Sequence, residues 1–146
     1  MDRKEHLART TARVAILCAM GITLVSSGGL VLADGEYPTE HAGLHVEQLG
    51  VVPAASMAAQ VGMGDHILLL RRITIEPGGQ IAHHSAAETP GVVYMESGAW
   101  TEGRDSGEIV HKAGDTFIED ADTVHWFFNR GDEAASALVC DIKPAP

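Results

Sequence analysis

The sequence predicts a small all-β domain, built as an antiparallel sandwich or barrel. One observation behind this prediction is a series of short apolar runs, with turn-forming residues between them at regular intervals. Another is that β-branched residues are enriched toward the end of the run from His66 to Glu76, as they are in strands. A helical turn or two is predicted only at Ser56 to Val61. These observations favour strands joined by tight turns.

The clearest strand is His66 to Glu76, which ends at the breaker Pro77-Gly78-Gly79. Its alternation places Arg71 on one face and Arg72 on the other, so one arginine points inward if the strand is covered on one side. An inward arginine would bind an anionic substrate or pair with Asp141 or a glutamate, and the ion pair is the favoured interpretation. Six further strands are predicted: Val92 to Glu96, Ala99 to Glu102, Glu108 to Lys112, Thr116 to Glu119, Val124 to Asn129 and Ala137 to Ile142.

The first 33 residues have the features of a secretory signal peptide. Basic residues precede an apolar run from Val14 to Val25, and small residues lead to Ala33, after which we expect cleavage. The alternative is an uncleaved N-terminal membrane anchor, because residues 14–33 carry no charge and about 20 residues span a bilayer. We therefore expect export to the periplasm or the extracellular space. Residues 34–64 would form an N-terminal extension with the first strand or strands, and residues 65–143 the barrel domain.

Composition limits the partners of the 113 residues that remain after cleavage. They keep six of the ten Lys and Arg residues and eighteen of the twenty Asp and Glu residues, a formal charge of −12 against −10 for the whole chain. This surface argues against nucleic acid and against an anionic membrane as partners of the mature domain. Only Cys140 remains, so no intrachain disulfide can form. The segments Asp34 to Leu49 and Lys143 to Pro146 are expected to be loosely attached ends.

Two segments carry the strongest functional signal. Gly114 to Asn129 reads GDTFIEDADTVHWFFN and fits the pattern G-x5-P-x-G-x2-H-x3-N at its first glycine, its histidine and its asparagine. Asp120 and Asp122 replace the proline and the second glycine. About thirty residues upstream, Pro77 to Gly98 reads PGGQIAHHSAAETPGVVYMESG, with a Pro-Gly turn, two histidines and a strand that ends in glycine. The two segments resemble the two motifs of the cupin superfamily, and the chain resembles a small single-domain exported cupin of the Cupin_2-like kind.

The resemblance implies a cupin jelly-roll barrel of the double-stranded β-helix kind. Such barrels typically hold a metal through two histidines and a carboxylate of the first motif and one histidine of the second. Here the first motif is degenerate: its first histidine position is His84, but its second is Ala86, and its glutamate position falls on Pro90 or Gly91. Only His84 and His125 match the implied ligands directly.

A third ligand is therefore needed to complete the implied site. Alternation puts positions 84, 86 and 88 on one face, which makes Glu88 the favoured carboxylate and directs His83 away. Alternatively, a bulge would bring His83 inward beside His84. A set of His84, Glu88 and His125 suits a divalent Fe, Mn, Ni or Zn ion. The residues expected to line the pocket are Tyr94, Phe127 and Ala86.

Other polar residues of the motifs are expected to have structural roles. Asn129 is predicted to tie a turn to the sheet, and Asp120 and Asp122 to stabilise a turn through their own backbone. A surface role is predicted for His111, at the end of its strand.

Three classes of function follow. The favoured one is an exported cupin that binds a small molecule, with a divalent metal in the barrel. The second is a metal-dependent enzyme, a dioxygenase or isomerase-like cupin that uses His84, Glu88 and His125, and the third is a non-catalytic structural or interaction protein. The sequence shows neither a nucleophile beside a base nor a phosphate loop, so no catalytic residue is assigned. The resemblance also implies a homodimer, because the open edges of a small sandwich need cover.

Overall fold

The computed structural model describes residues 37–146, and the expected signal peptide lies outside them. The elements are β1 (Ala42–Val52), α1 (Ala54–Val61), β2 (His66–Ser85), β3 (Gly91–Ser97), β4 (Ala99–Arg104), β5 (Gly107–Lys112), β6 (Thr116–Glu119), β7 (Val124–Phe128) and β8 (Ala135–Pro144). The predicted all-β class is confirmed. Between residues 37 and 146, no helix is long and apolar enough to cross a membrane.

The strands form one antiparallel sheet in the order β5-β4-β7-β2-β8-β3-β6, and β1 pairs with β2 outside this path. The sheet curls into a nearly closed barrel. The long strand β2 is central because its first half pairs with β8 and its second half with β7. The predicted break at Pro77-Gly78-Gly79 is wrong, since β2 continues through it. Gly78 makes this course possible with a φ of 72°, which glycine adopts without strain.

The two ends of the domain are also better ordered than the sequence predicts. The segment expected to be a loose N-terminal end contains most of β1, which pairs with β2 from Val52 opposite Leu68 to Ala42 opposite Gln80. The tail is held as well, because β8 extends to Pro144 and the amide of Ala145 donates to the carbonyl oxygen of Asp65. Both corrections have the same cause, which is that β2 offers hydrogen-bonding partners on both of its edges.

One part of the barrel interior is apolar. The fully buried indole of Trp100 donates to the carbonyl oxygen of Ala135 at 3.1 Å and packs against the ring of Phe127, with 5.3 Å between ring centroids. Burial of such side chains contributes about 1.5–3 kcal/mol each to stability. The buried members of this core are Ile73, Ile75, Ile81, Val93, Met95, Trp100, Phe127, Ala135, Ala137 and Val139.

Toward one end of the barrel, the inward side chains of these same strands become polar. We call this set the polar end: Arg71, His84, Glu102, Glu119, His125 and Asp141. One row of paired residues crosses four strands here, with Leu69 on β2 opposite Asp141 on β8, Asp141 opposite Gly91 on β3, and Gly91 opposite Glu119 on β6. The polar end therefore sits directly on the apolar core.

The turns of the second motif have the predicted structural roles. The amide of Asn129 donates to the carbonyl oxygens of Ile75 and Glu133, both at 2.8 Å, and its side-chain oxygen accepts from the amide of Gly131. The carboxylate of Asp120 accepts from the amide of Asp122 and from the hydroxyl of Thr123. These bonds fix both ends of β7, the strand that carries His125.

Candidate metal centre

Three side chains of the polar end direct ligand atoms toward one point. His84 and His125 are register partners on β2 and β7, and their Nε2 atoms lie 3.1 Å apart. Glu119 comes from β6, which pairs with neither strand, and its Oε1 lies 3.5 Å from Nε2 of His125. All three ligand atoms lie within 4.8 Å of one another. This is the group that can hold a metal ion among residues 37–146.

A bulge in β2 decides which histidine faces inward. Ile81 pairs with Phe127, but His84 pairs with His125, so β2 has one extra residue between these pairs. Without it, the alternation that buries Ile81 would bury His83. The alternative from the sequence was a bulge that brings His83 inward, and the observed bulge does the opposite. It turns His84 inward and leaves His83 stacked on Tyr37, with 4.0 Å between ring centroids.

Hydrogen bonds fix the tautomers of both inward histidines. Nδ1 of His84 lies 2.8 Å from the carbonyl oxygen of Ala82, and Nδ1 of His125 lies 2.7 Å from Oε1 of Glu102. A carbonyl and a carboxylate only accept, so each Nδ1 must carry the proton. In the neutral imidazoles each Nε2 then presents a lone pair, and the two Nε2 atoms face each other across 3.1 Å.

The carboxylate of Glu102 is fully buried and accepts from three cationic or polar partners. Besides His125, it accepts from Nε2 of His111 at 2.8 Å and from the guanidinium of Arg104. Burial raises the pKa of Glu102, but the hydrogen bonds from His125, His111 and Arg104 outweigh it and lower the pKa from 4.5 to about 2. The surface role predicted for His111 is wrong, because His111 is buried against Phe117 and bonded to Glu102.

Glu119 has a different environment. Burial raises its pKa, and the neighbouring carboxylate of Asp141 adds to this effect, while His125 and Arg71 lower the pKa. Glu119 and Asp141 approach each other closely because Gly91 lies between them. A Cβ at Gly91 would lie 3.3 Å from Oε2 of Glu119 and 3.1 Å from Cβ of Asp141. Asp141 is paired in turn with Arg71 at 2.5 Å, as the favoured interpretation of that arginine predicts.

The donor set and its spacing fit a divalent transition metal. Two ligands at about 2.1 Å from one ion lie about 3.0 Å apart at a right angle and about 3.4 Å apart at a tetrahedral angle. The separation of 3.1 Å between the imidazoles lies in this range, and that of 3.5 Å between His125 and Glu119 lies just above it. Metal-bound histidines also commonly donate their other nitrogen to a carboxylate or a carbonyl, as both histidines do here.

The remaining predicted site residues lie at different places. Glu88 is exposed in the turn after β2, where it lines a surface depression with Asp65, His66, Ala87, Pro90 and Pro144. The structure does not bring Glu88 to the two histidines. Tyr94 is 45% exposed because it alternates with the buried Val93 and Met95. Ala86 is buried, and its amide donates to the carbonyl oxygen of Thr123.

Phe127 and Glu119 complete the comparison with the sequence. Phe127 faces inward on β7 as predicted, and its ring centroid lies 4.6 Å from that of His125. Glu119 was missed, although its signal was present. It follows Phe117 by two residues on β6, so it shares the inward face of that aromatic ring. The exposed Ile118 between them obscured this alternation.

Comparisons with known proteins agree with this geometry at the level of the fold. Residues 71–141 match the Cupin_2 family, described as a cupin domain. No protein of curated function matches the sequence.

Solved cupin structures resemble this fold at low sequence identity. The Cupin_2 domain of an XRE family transcriptional regulator from Enterobacter cloacae is 14% identical, with a TM-score of 0.52 over 72% of this chain and 100% of that chain. A sugar phosphate isomerase from Silicibacter pomeroyi is 21% identical (TM-score 0.53, 76% and 72% covered). A predicted oxalate decarboxylase from Thermotoga maritima is 18% identical (TM-score 0.54, 78% and 99% covered). Its barrel and its motif residues agree with the family match, and the chain contains a Cupin_2 domain, a cupin domain, over residues 71–141.

Proposed function

We propose that this cupin binds a divalent transition metal through His84, His125 and Glu119 and uses the site to bind a small molecule. The observation that carries the proposal is the pair of Nε2 lone pairs that face each other at 3.1 Å. Two lone pairs at this distance repel unless a cation lies between them. A proton on either ring would also serve this purpose, and burial lowers the pKa of His84, which disfavours the proton on that ring. A metal would also satisfy Glu119.

The ligand set limits the metal and its chemistry. Two imidazoles and one carboxylate suit iron, manganese, nickel or zinc, and such a set leaves coordination positions open for a ligand. A metal bound there would act as a Lewis acid on an oxygen of that ligand. The residues of the chain would hold the tautomers, since Glu102 and the carbonyl of Ala82 keep each Nε2 free of its proton.

A second candidate is a metal-dependent enzyme of the dioxygenase or isomerase-like kind. It is favoured by the same open positions and by the buried aromatic ring of Phe127 beside His125, which limits water at one side of the site. The solved structures include a sugar phosphate isomerase and a predicted oxalate decarboxylase, but a likeness at this identity speaks for the fold alone. Metal-dependent turnover of a candidate substrate would separate the enzyme from the binding protein.

Metal titration of the purified protein tests the proposal. We expect about one ion per chain, and a rise in stability of about 2.7 kcal/mol when free metal is 100 times Kd. Glu119→Gln should weaken the binding, because it removes the charged ligand, whereas Glu88→Gln should leave it unchanged. Uptake that is absent in the parent protein would reject the metal site. If metal uptake is lost in Glu88→Gln and kept in Glu119→Gln, the carboxylate ligand is Glu88 rather than Glu119.

Export and self-association complete the proposal. The signal-peptide pattern of residues 1–33 supports export to the periplasm or the extracellular space.

We propose a homodimer because β6 is an edge strand and the outward face of β3 and β6 exposes Val92, Tyr94 and Ile118. Light scattering of the parent protein should give twice the mass of the chain. Ile118→Lys should shift the protein toward monomer, whereas Val46→Lys, a change at another exposed apolar residue on β1, should not. A monomeric parent would contradict this arrangement.

A further inference from the structure

The ion pair beside the candidate metal centre is built asymmetrically. Nη2 of Arg71 contacts Oδ2 of Asp141 at 2.5 Å, and the side chains are 20% and 3% exposed. An arginine and a carboxylate often pair through two parallel bonds, which would use both oxygens. Here Nε of Arg71 and Oδ1 of Asp141 are buried and have no hydrogen-bonding partner among the described residues. The pair thus contains one donor and one acceptor that are both left unsatisfied.

These two atoms belong to the same polar end as the metal ligands. Asp141 and Glu119 flank Gly91 in one row of the sheet, close enough that one added Cβ at Gly91 would contact both. Arg71 lies one inward position further along β2 from Leu69, the partner of Asp141. The ion pair therefore adjoins Glu119, the carboxylate ligand of the candidate metal centre.

The charges of the polar end favour an anion once a metal is bound. Glu102 is compensated by Arg104, and Asp141 by Arg71, which leaves Glu119 as the single uncompensated carboxylate of the set. A divalent cation would give the site a net charge of about +1. A buried donor or acceptor that lacks a hydrogen bond is costly. A ligand that bonds to both Nε of Arg71 and Oδ1 of Asp141 therefore gains affinity and specificity.

We infer that Arg71 and Asp141 recognise a small 2-hydroxy acid at the metal centre. The carboxylate of the acid would accept from Nε of Arg71, and its hydroxyl would donate to Oδ1 of Asp141. A hydroxy acid carries these two groups on adjacent carbons, and its negative charge matches the metal-loaded site. This inference rests on the proposed metal site and adds to it the class of ligand.

Three-carbon probes test the inference in the protein loaded with zinc. Lactate carries both groups, propionate lacks the hydroxyl and propane-1,2-diol lacks the carboxylate. We expect lactate to bind and to raise the melting temperature, propionate to bind more weakly and the diol not to bind. Arg71→Lys keeps the charge opposite Asp141 but removes Nε, so it should weaken lactate binding by about 10- to 100-fold, the loss expected for one hydrogen bond to a charged group. Zinc affinity should not change.

Arg72→Lys is the matched control. Arg72 is the next residue of β2, points outward and pairs with Glu96 and Glu47, so lactate binding should be unaffected. If Arg71→Lys does not fold, the double variant Arg71→Gln with Asp141→Asn replaces the ion pair by a neutral one and serves the same test.

The outcomes separate this inference from the proposed function. Equal binding of lactate and the diol, no binding of lactate, or unchanged lactate binding in Arg71→Lys would overturn the hydroxy-acid inference while the zinc site stands. A parent protein that binds no metal would overturn the proposed function and the inference with it.

Discussion

His84→Ala should abolish stoichiometric metal uptake, whereas His83→Ala, one residue away, should leave it intact. The bulge in β2 directs these neighbouring histidines to opposite faces, with His84 opposite His125 and His83 stacked on Tyr37. Removing one of three ligands should weaken binding by more than the roughly 10- to 100-fold loss that follows removal of a supporting hydrogen-bond partner. Elemental analysis and calorimetric titration measure this loss.

The pair of variants is informative because the two histidines share one strand and one chemistry. Each substitution removes one imidazole from β2, so a general loss of stability would affect both proteins. A difference in metal content can then be assigned to the direction of the side chain. Full metal occupancy in His84→Ala would contradict the assigned ligand set, and loss of metal in His83→Ala alone would reverse the assignment.

Glu102→Gln should destabilise the protein by about 3–5 kcal/mol, the usual cost of removing one partner from a buried charged pair. Glu102 is fully buried and accepts from His125, His111 and Arg104 through both oxygens, and glutamine keeps only one of these acceptors while its NH2 group faces a donor. Metal affinity should also fall by about 10- to 100-fold, because His125 loses the carboxylate that fixes its tautomer. Urea denaturation and metal titration measure the two effects.

The same residue predicts how stability responds to acid. The folded pKa of Glu102 is about 2, below its usual value of 4.5. A depressed pKa means that its contribution is fully present above pH 4.5 and is lost as the pH falls toward 2. In Glu102→Gln this part of the acid dependence should disappear.

Glu108→Gln is the matched control for Glu102. Glu108 lies on the neighbouring strand β5 and pairs with Arg130, but both side chains are about half exposed. Its loss should cost less than about 1 kcal/mol. Similar losses of stability in the two variants would contradict the interpretation of Glu102 as the buried support of the site.

Much of the fold could be predicted from local patterns, and the errors lie where pairing overrides them. The strands from β3 to β8 follow alternation and turn residues, and the histidine of the second motif is inward, as its spacing predicts. Pro77-Gly78-Gly79 signals a break, yet β2 continues there because Ile75 and Gln80 on either side of it both pair with β1, and the amide of Gly78 donates to the carbonyl oxygen of Asn129. The same pairing orders β1, whose sequence alone indicates a loose end.

The sequence predicts two of the three ligands of the candidate site. His84 and His125 follow from the motifs, but the structure brings Glu119 to them rather than Glu88. The proximity of Glu119 to His125 depends on closure of the barrel, which places β6 near β7 although the two strands do not pair. Neither the bulge before His84 nor the reach of His111 to Glu102 is encoded by spacing, because both depend on register between distant strands.

The position of Glu119 has a consequence for how the barrel holds together. β6 has backbone hydrogen bonds to β3 alone, so it ends the ribbon of strands, and His125 lies on β7, three places away from β3 in that ribbon. An ion bound by both Glu119 and His125 would link the terminal strand β6 to β7 in the middle of the ribbon. Opening of the barrel at β6 would then require release of the ion. The rigidity of this end of the barrel would therefore depend on whether the metal is bound.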